Sequence, residues 1–402
     1  MVGKRRPHKT RPPYKRIVGT AVRDAAATEA EADSDVDLDA VDIGGLSLAP
    51  REEVDGGTRG APSTPGDFPL EIIDMICAQC EKKFPLMLVN RRWHLMALPH
   101  VYAEPGLTPT SFPHFVQAIS SDRELGSNVR ALDLSTISQV GKNSMVSRLL
   151  RRCSPKLEVF VAPQSHFGYS PMISLAGCER LKYLDLGLVS ETLDLANLFA
   201  TIQKFHELEV LHFPRSSIKC DDNEAIEWAP NLRQLGLSGG FPSRFLEQTA
   251  FPPTLTTLSI SNCPYLGTTA LNKLLERVGP QLLRLSLAYP VPHLSADAAD
   301  CVLMQCPNLR VWQVSVDYVS SAALDADLIP HGHPLRQLML LSSGLMGHSD
   351  KIKPAHVLMA TDELVHLRRL SASLLLGWHP ESEALNGLVD VLNERGGGVW
   401  MI

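Results

Sequence analysis

The chain of 402 residues has no apolar run near the ~20 residues a helix needs to cross a bilayer. It also shows no h-region of a secretory signal, and its eight cysteines are scattered. Together these point to a soluble protein with reduced thiols, in the cytosol or nucleus. Charge of one sign is missing from the bulk: 38 Lys+Arg against 44 Asp+Glu leave a net −6, which does not mark nucleic acid as a bulk partner. Metal-ligand spacings are missing too. The 14 histidines contain no HxxxH or HExxH, and no glycine-rich loop opens a helix to cradle phosphate. Cys77-x-x-Cys80 lacks the second pair that a zinc site wants, and both thiols fall on the apolar side of a short helix, where they behave as small hydrophobes. Gly236-Leu237-Ser238-Gly239-Gly240 matches GxSxG, but it is the tail of a strand rather than a strand-to-helix elbow. The expectation is a chain without cofactor or metal and without catalysis of its own.

What is present begins with a charge-segregated stretch, residues 1–65. Residues 1–23 hold eight basic residues and no acidic one, and residues 24–42 hold eight acidic residues and no basic one. With few large apolar groups to offset the entropy of ordering, this stretch reads as a disordered tail. The basic run KRRPHKTRPPYKR fits a nuclear import signal and a solvated tail equally well.

Residues 66–104 carry two short amphipathic patterns. Phe68-Pro69 precedes Ile72, Ile73, Ile76 and Cys80 at helical spacing, with Glu71 near the positive end of the helix. After a break, Leu86, Val89, Trp93 and Ala97 form a second stripe. Two helices this short cannot bury that much apolar surface between themselves, so they need a partner or serve as a helical cap on the C-terminal part of the chain. This stretch resembles an F-box, whose Leu-Pro-x-Glu-Ile start is matched by Phe68-Pro69-Leu70-Glu71-Ile72. The Leu-Val-Asn/Cys-Arg-x-Trp core of that family is matched by Leu88-Val89-Asn90-Arg91-Arg92-Trp93. Phe68 stands in place of the usual leucine, and Glu81-Lys82-Lys83 replaces a longer connection.

Phe112, Phe115, Val116 and Ile119 indicate a connecting helix within 105–128. From there a motif of the form LxxLxL recurs, with first positions Val129, Leu157, Leu181, Leu208, Leu232, Leu255, Leu282, Leu309, Leu335 and Leu367, at intervals of 23 to 32 residues. Within each copy the alternation is that of a strand with one buried face; between copies the period turns helical, as in Leu271, Leu274, Leu275 and Val278. One strand and one helix cannot enclose a core alone, but stacked units bury a continuous one. The period and pattern resemble leucine-rich repeats, and Cys263 and Cys306 resemble the cysteine-containing class. The turn position is otherwise Ser216, Gly240, Pro290 or Ser343, so the repeats are irregular. The fold expected is an α/β leucine-rich-repeat solenoid of about ten repeats over 129–402. A last helix at 381–394 and a capping strand from Val-Trp-Met-Ile complete it.

The resemblance to F-box proteins with leucine-rich repeats implies a substrate receptor of an SCF-type cullin-RING ubiquitin ligase. On that resemblance Phe68, Pro69, Ile72, Ile76, Leu88, Val89 and Trp93 contact a Skp-family adaptor. A target protein is held on the concave sheet, whose outward residues lie between the buried positions of each strand. That face is mostly uncharged, which suits a protein or peptide better than a polyanion. Tyr183, His212, Gln234, Arg284 and Gln313 are its anchor candidates, because large amphipathic or planar groups tend to dominate binding. A repeat scaffold that binds a partner without ubiquitin transfer fits the same residues.

Overall fold

Side-chain alternation in the repeated motif produces short parallel strands, and a computed structural model shows how they stack. It describes residues 68–137, 143–165, 167–215, 218–219, 227–345 and 351–402. The charge-segregated 1–65 stretch, its basic run, Ser216 and Cys220 lie outside the described residues.

Helix α1 (Leu70–Gln79) starts directly after Pro69, with Glu71 in its first turn. Next comes a 3-10 turn, Phe84–Leu88, with Pro85 in its first positions. Helix α2 (Arg91–Ala103) is capped by the Asn90 side chain, whose Oδ1 accepts from the Arg92 and Trp93 amides at 3.0 and 3.1 Å. The connecting segment holds two helices: α3 (Phe112–Ser121) ends where Asp122 caps α4 (Arg123–Ser127) by accepting from the Glu124 amide at 2.8 Å.

The strands are β1 (Ala131–Asp133), β2 (Val159–Val161), β3 (Tyr183–Asp185), β4 (Leu193–Asp194), β5 (Val210–His212), β6 (Ile218–Lys219) and β7 (Gln234–Leu237). They continue with β8 (Thr257–Ile260), β9 (Arg284–Leu287), β10 (Val311–Ser315), β11 (Gln337–Leu341), β12 (Arg369–Ala372) and β13 (Gly398–Met401). Eleven of them form one sheet in chain order, every neighbouring pair parallel, while β4 and β6 pair separately beside it. Ten of the eleven are the ten motif copies, and the eleventh is the capping strand. Helices on the other side of the sheet include α5 (Asn143–Cys153), α6 (Tyr169–Leu175), α7 (Leu195–Ile202), α8 (Ser243–Gln248) and α9 (Thr268–Val278), then α10 (Val302–Gln305), α11 (Pro354–Ala360) and α12 (Glu383–Glu394).

The second residue of each of the ten motif strands faces inward. Leu132, Phe160, Leu184, Leu211, Leu235, Leu258, Leu285, Trp312, Leu338 and Leu370 line up across the sheet and are buried, joined by the motif's first residues and by the inner faces of α5 to α9 and α12. A fully buried leucine contributes on the order of 2 kcal/mol, so this shared interior is what holds the stack together. Turns after the strands are tied to the previous repeat: the Cys263 thiol reaches the Leu237 carbonyl at 3.6 Å, and the Ser238 hydroxyl donates to the Phe213 carbonyl at 2.5 Å.

A second, smaller core lies ahead of the repeats. Ile73 and Cys77 of α1 pack on Trp93 and Ala97 of α2, with Ile76, Leu86, Met87 and Met96 around them. The far end of α2 belongs to the large core instead: Tyr102 stacks on Phe115 with ring centroids 6.2 Å apart, and the Ala103 carbonyl accepts from the Arg130 amide at 2.8 Å. Among the described residues, no helix is long and apolar enough to cross a membrane.

Candidate functional site

Two faces are left over once the cores are assigned. The first lies on the helical pair. With Ile73, Cys77, Trp93 and Ala97 turned toward each other, other apolar side chains of the pair and of the 3-10 turn between them are left outward. Leu88 is 74% exposed, Val89 53%, Phe68 43% and Ile72 40%, and Pro69 is exposed beside them. Arg92 Nη2 donates to the Phe68 carbonyl at 3.2 Å, which joins the start of α1 to the start of α2 and brings these residues to one end of the pair. His100 Nε2 sits 2.7 Å from Asp74 Oδ1, bracing α2 against α1, and His94 Nδ1 sits 3.1 Å from the Met87 carbonyl, tying α2 to the 3-10 turn.

Two of the residues predicted to meet an adaptor are placed otherwise. Trp93 is only 6% exposed and fills the small core, because its position in the first turn of α2 points it at Ile73 and Cys77. Ile76 is half-buried against the same cluster. The sequence pattern also missed Leu70, Met75, Phe84 and Leu95, which are exposed on these helices. Large apolar groups exposed together mark an interaction surface. Of the two thiols predicted to be packed, Cys77 is and Cys80, at the C-terminal end of α1, is half-exposed outside the small core; the Cys77 thiol is pushed up by burial, then by its neighbours Cys80 and Asp74.

The second face is the open side of the sheet. Strand pairing stacks two ladders of outward residues. One runs Val159, Tyr183, Val210, Gln234, Thr257, Arg284, Val311, Gln337 and Arg369. The other runs Val161, Asp185, His212, Gly236, Ser259, Ser286, Gln313, Met339 and Ser371. These are the positions read from the motif.

Three of the five anchor candidates meet there. The Tyr183 and His212 rings lie 5.8 Å apart, and Gln234 Nε2 is 3.2 Å from His212 Nε2. Asp185, which was not among the anchors, organises them: its Oδ2 is 3.4 Å from His212 Nδ1 and accepts from the Tyr183 hydroxyl at 3.4 Å, while its Oδ1 accepts from the Gly187 amide at 2.8 Å. Burial works to raise the Asp185 carboxyl, but the bonds and charge supplied by His212, the Gly187 amide and Tyr183 outweigh it and hold the carboxyl below the usual carboxylate range. Burial and the adjacent carboxylate push the Tyr183 phenol up.

Gly236 makes the arrangement possible, since a Cβ there would come within 3.0 Å of the His212 ring. His212 itself is only 9% exposed, so it braces Tyr183 and Gln234 rather than standing free. Arg284 and Gln313 lie further along the ladders and do not join the cluster; strand β8 lies between Gln234 and Arg284. Ser238 is buried with its hydroxyl engaged, in a turn that α8 does not enter until Ser243.

No family model matches the chain. Among solved structures it bears a loose likeness to a TLR13–ssRNA13 complex, with a TM-score of 0.38 and 21% identity over 67% of this chain and 36% of that one. The likeness to an internalin (InlF) of Listeria monocytogenes is similar, with a TM-score of 0.38 and 12% identity over 76% of this chain and 92% of that one. Curated relatives are much nearer in sequence. "Protein pof5" of Schizosaccharomyces pombe is 34% identical over 322 residues, covering 79% of this chain and 91% of the relative. "F-box protein YDR306C" of Saccharomyces cerevisiae is 42% identical over 323 residues, covering 78% of this chain and 68% of the relative. Identity at that level, over most of both partners, shows that the chain belongs to the F-box protein family.

Proposed function

We propose that the chain is the substrate-recognition subunit of an SCF-type cullin-RING ubiquitin ligase, acting in the cytoplasm or nucleus. The helical pair docks on a Skp-family adaptor, and the open face of the sheet holds a target protein. The observation that carries this reading is the small core of Ile73, Cys77, Trp93 and Ala97, which is separate from the core of the repeats. A helical cap on the repeats would have turned its apolar stripe into the large core. Instead Phe68, Pro69, Ile72, Leu88 and Val89 are exposed, where a second polypeptide reaches them. On the sheet, Tyr183 and Gln234 are held ready by His212 and Asp185, and such pre-organisation lowers the entropic cost of gripping a ligand.

The chain carries out no chemistry in this scheme. Its contribution is to raise the effective concentration of the target near a ubiquitin-loaded enzyme and to orient it. Co-expression with a Skp-family adaptor followed by size-exclusion chromatography tests the reading. A stable heterodimer that is lost in Val89→Asp is the expected result. Absence of any heterodimer would leave a repeat scaffold that binds its partner without ubiquitin transfer.

A further inference from the structure

The residue just before each strand forms a third column beside the two ladders, and its charge changes character along the array. Over the early repeats it alternates in sign, as Arg130, Glu158, Lys182 and Glu209, and neighbours neutralise one another: Lys182 Nζ is 3.2 Å from Glu158 Oε2. Over β10, β11 and β12 the column is Arg310, Arg336 and Arg368. They are in register, since the Arg336 amide donates to the Arg310 carbonyl at 2.8 Å and the Arg368 amide to the Arg336 carbonyl at 3.0 Å. Arg284 and Arg369, the only arginines on the described ladders, flank them one position further into β9 and β12.

All five side chains are exposed, and none of them makes an ion pair among the described residues. Glu363, in the loop leading into β12, pairs with His331 at 2.7 Å instead. The expectation of a mostly uncharged face therefore holds for the ladders but not for their border, the second position of each motif, which lies just ahead of the strand and is left out when only strand residues are read. Like charges on adjacent strands destabilise a sheet, and the same column shows that this fold elsewhere accommodates alternating charge. An anion bound across the row removes that repulsion.

We infer that the strand-entry border of β9 to β12 binds an extended, acidic segment of the target protein through Arg284, Arg310, Arg336, Arg368 and Arg369. This rests on the sheet being the target-binding face of the proposed receptor. Adjacent strands lie about 4.8 Å apart, so the three in-register arginines span about 10 Å. Anionic side chains two residues apart on an extended peptide are about 7 Å apart, which lets two of them share three guanidinium forks. Arginine grips carboxylate and phosphate in the same two-pronged way, so acidic and phosphorylated segments share this chemistry.

The test uses the full chain without adaptor and three fluorescein-labelled peptides of one backbone sequence. They carry two glutamates, two phosphoserines or two serines, in each case separated by one residue. Fluorescence anisotropy is expected to show binding of one or both anionic peptides and none of the serine peptide. Glutamate binding identifies an acidic segment as sufficient, and phosphoserine binding alone identifies a modified one. Arg336→Glu is expected to weaken binding by about tenfold or more, Arg336→Lys by less, and Arg233→Glu, on the same column outside the row, not at all. Arg310→Glu supplies an independent second variant, and thermal melts show that each variant is folded. Equal binding of all three peptides, binding of none, or indifference to both Arg336→Glu and Arg310→Glu overturns the inference. So does displacement of the peptides by a single-stranded oligonucleotide of the same charge at equal concentration. No adaptor is present, so a failure here leaves adaptor co-elution standing, and loss of adaptor binding leaves this result standing.

Discussion

Asp185 and His212 face each other from neighbouring strands, with Asp185 Oδ2 3.4 Å from His212 Nδ1 and Gly236 making room on the far side of the ring. The carboxyl is held below its ordinary value of 3.8, so the folded state binds its proton less tightly than the unfolded state does. Its contribution to stability is therefore complete above that value and is lost as the pH falls through the folded-state value. Asp185→Asn is expected to cost about 1 kcal/mol at neutral pH. Urea titrations should show the gap between variant and parent narrowing progressively below pH 3.8; a gap that stays constant with pH counts against the assigned partners.

The exposed and buried halves of the helical pair are expected to respond differently to the same kind of change. Leu88→Asp and Val89→Asp should leave stability within about 0.5 kcal/mol of the parent while abolishing co-elution with a Skp-family adaptor. Trp93→Asp should instead cost about 3 to 5 kcal/mol by emptying the small core, and so reports on folding rather than docking. Circular dichroism melts run beside the chromatography separate the two effects, and an unfolded Val89→Asp protein would sink the assignment of that face.

At the end of the array, Gly397 lies so close to the preceding repeat that a Cβ would meet the Arg368 carbonyl oxygen at 1.7 Å. Gly397→Ala is expected to pull β13 away from β12 at a cost of about 1 to 3 kcal/mol. The Gly398 amide donates to the Arg368 carbonyl and the Ile402 amide to the Ala372 carbonyl, each at 2.9 Å. Hydrogen exchange at residues 398–402 should accelerate while β7 to β10 keep their protection. Unchanged exchange at the last strand would contradict the close approach.

The buried thiols offer a chemical check of the packing. Burial pushes Cys153, Cys178, Cys263 and Cys306 up to about 12, so at pH 8 they hold almost no thiolate and face no solvent. Iodoacetamide is expected to reach the partly exposed Cys80 and Cys301 first, and those four only after denaturant is added. Mass spectrometry of peptides from the labelled native protein reads the order directly, and early labelling of Cys263 would mean that its turn is not closed.

Much of the repeat domain was legible because its signal is periodic. An outward residue in LxxLxL stays outward in each copy, so both ladders and the buried stripes of α7, α9 and α12 follow from spacing alone. Features set by contacts between copies were not legible. Asp185 became the centre of the polar cluster through a carboxylate–imidazole contact across strands, and Arg310, Arg336 and Arg368 became a row only through register. The β4–β6 pair lies outside the motif. Asp122 splits the connecting segment because its side chain caps α4, a local competition that apolar spacing does not record. Trp93 fits an exposed stripe in one helix; only the approach of α1 turns it into core.

The two cores have α2 in common. Ala97, near its middle, sits in the small one and Tyr102, near its end, in the large one, with Pro99 between them inside a helix of 13 residues, about 20 Å long. Adding or removing one residue between Ala97 and Tyr102 would swing one module about the other by roughly 100°. In the proposed receptor, the target on the sheet is thereby presented to the adaptor on the helices at a bearing set by the pitch of a single helix, as two gears keyed to one shaft hold their phase.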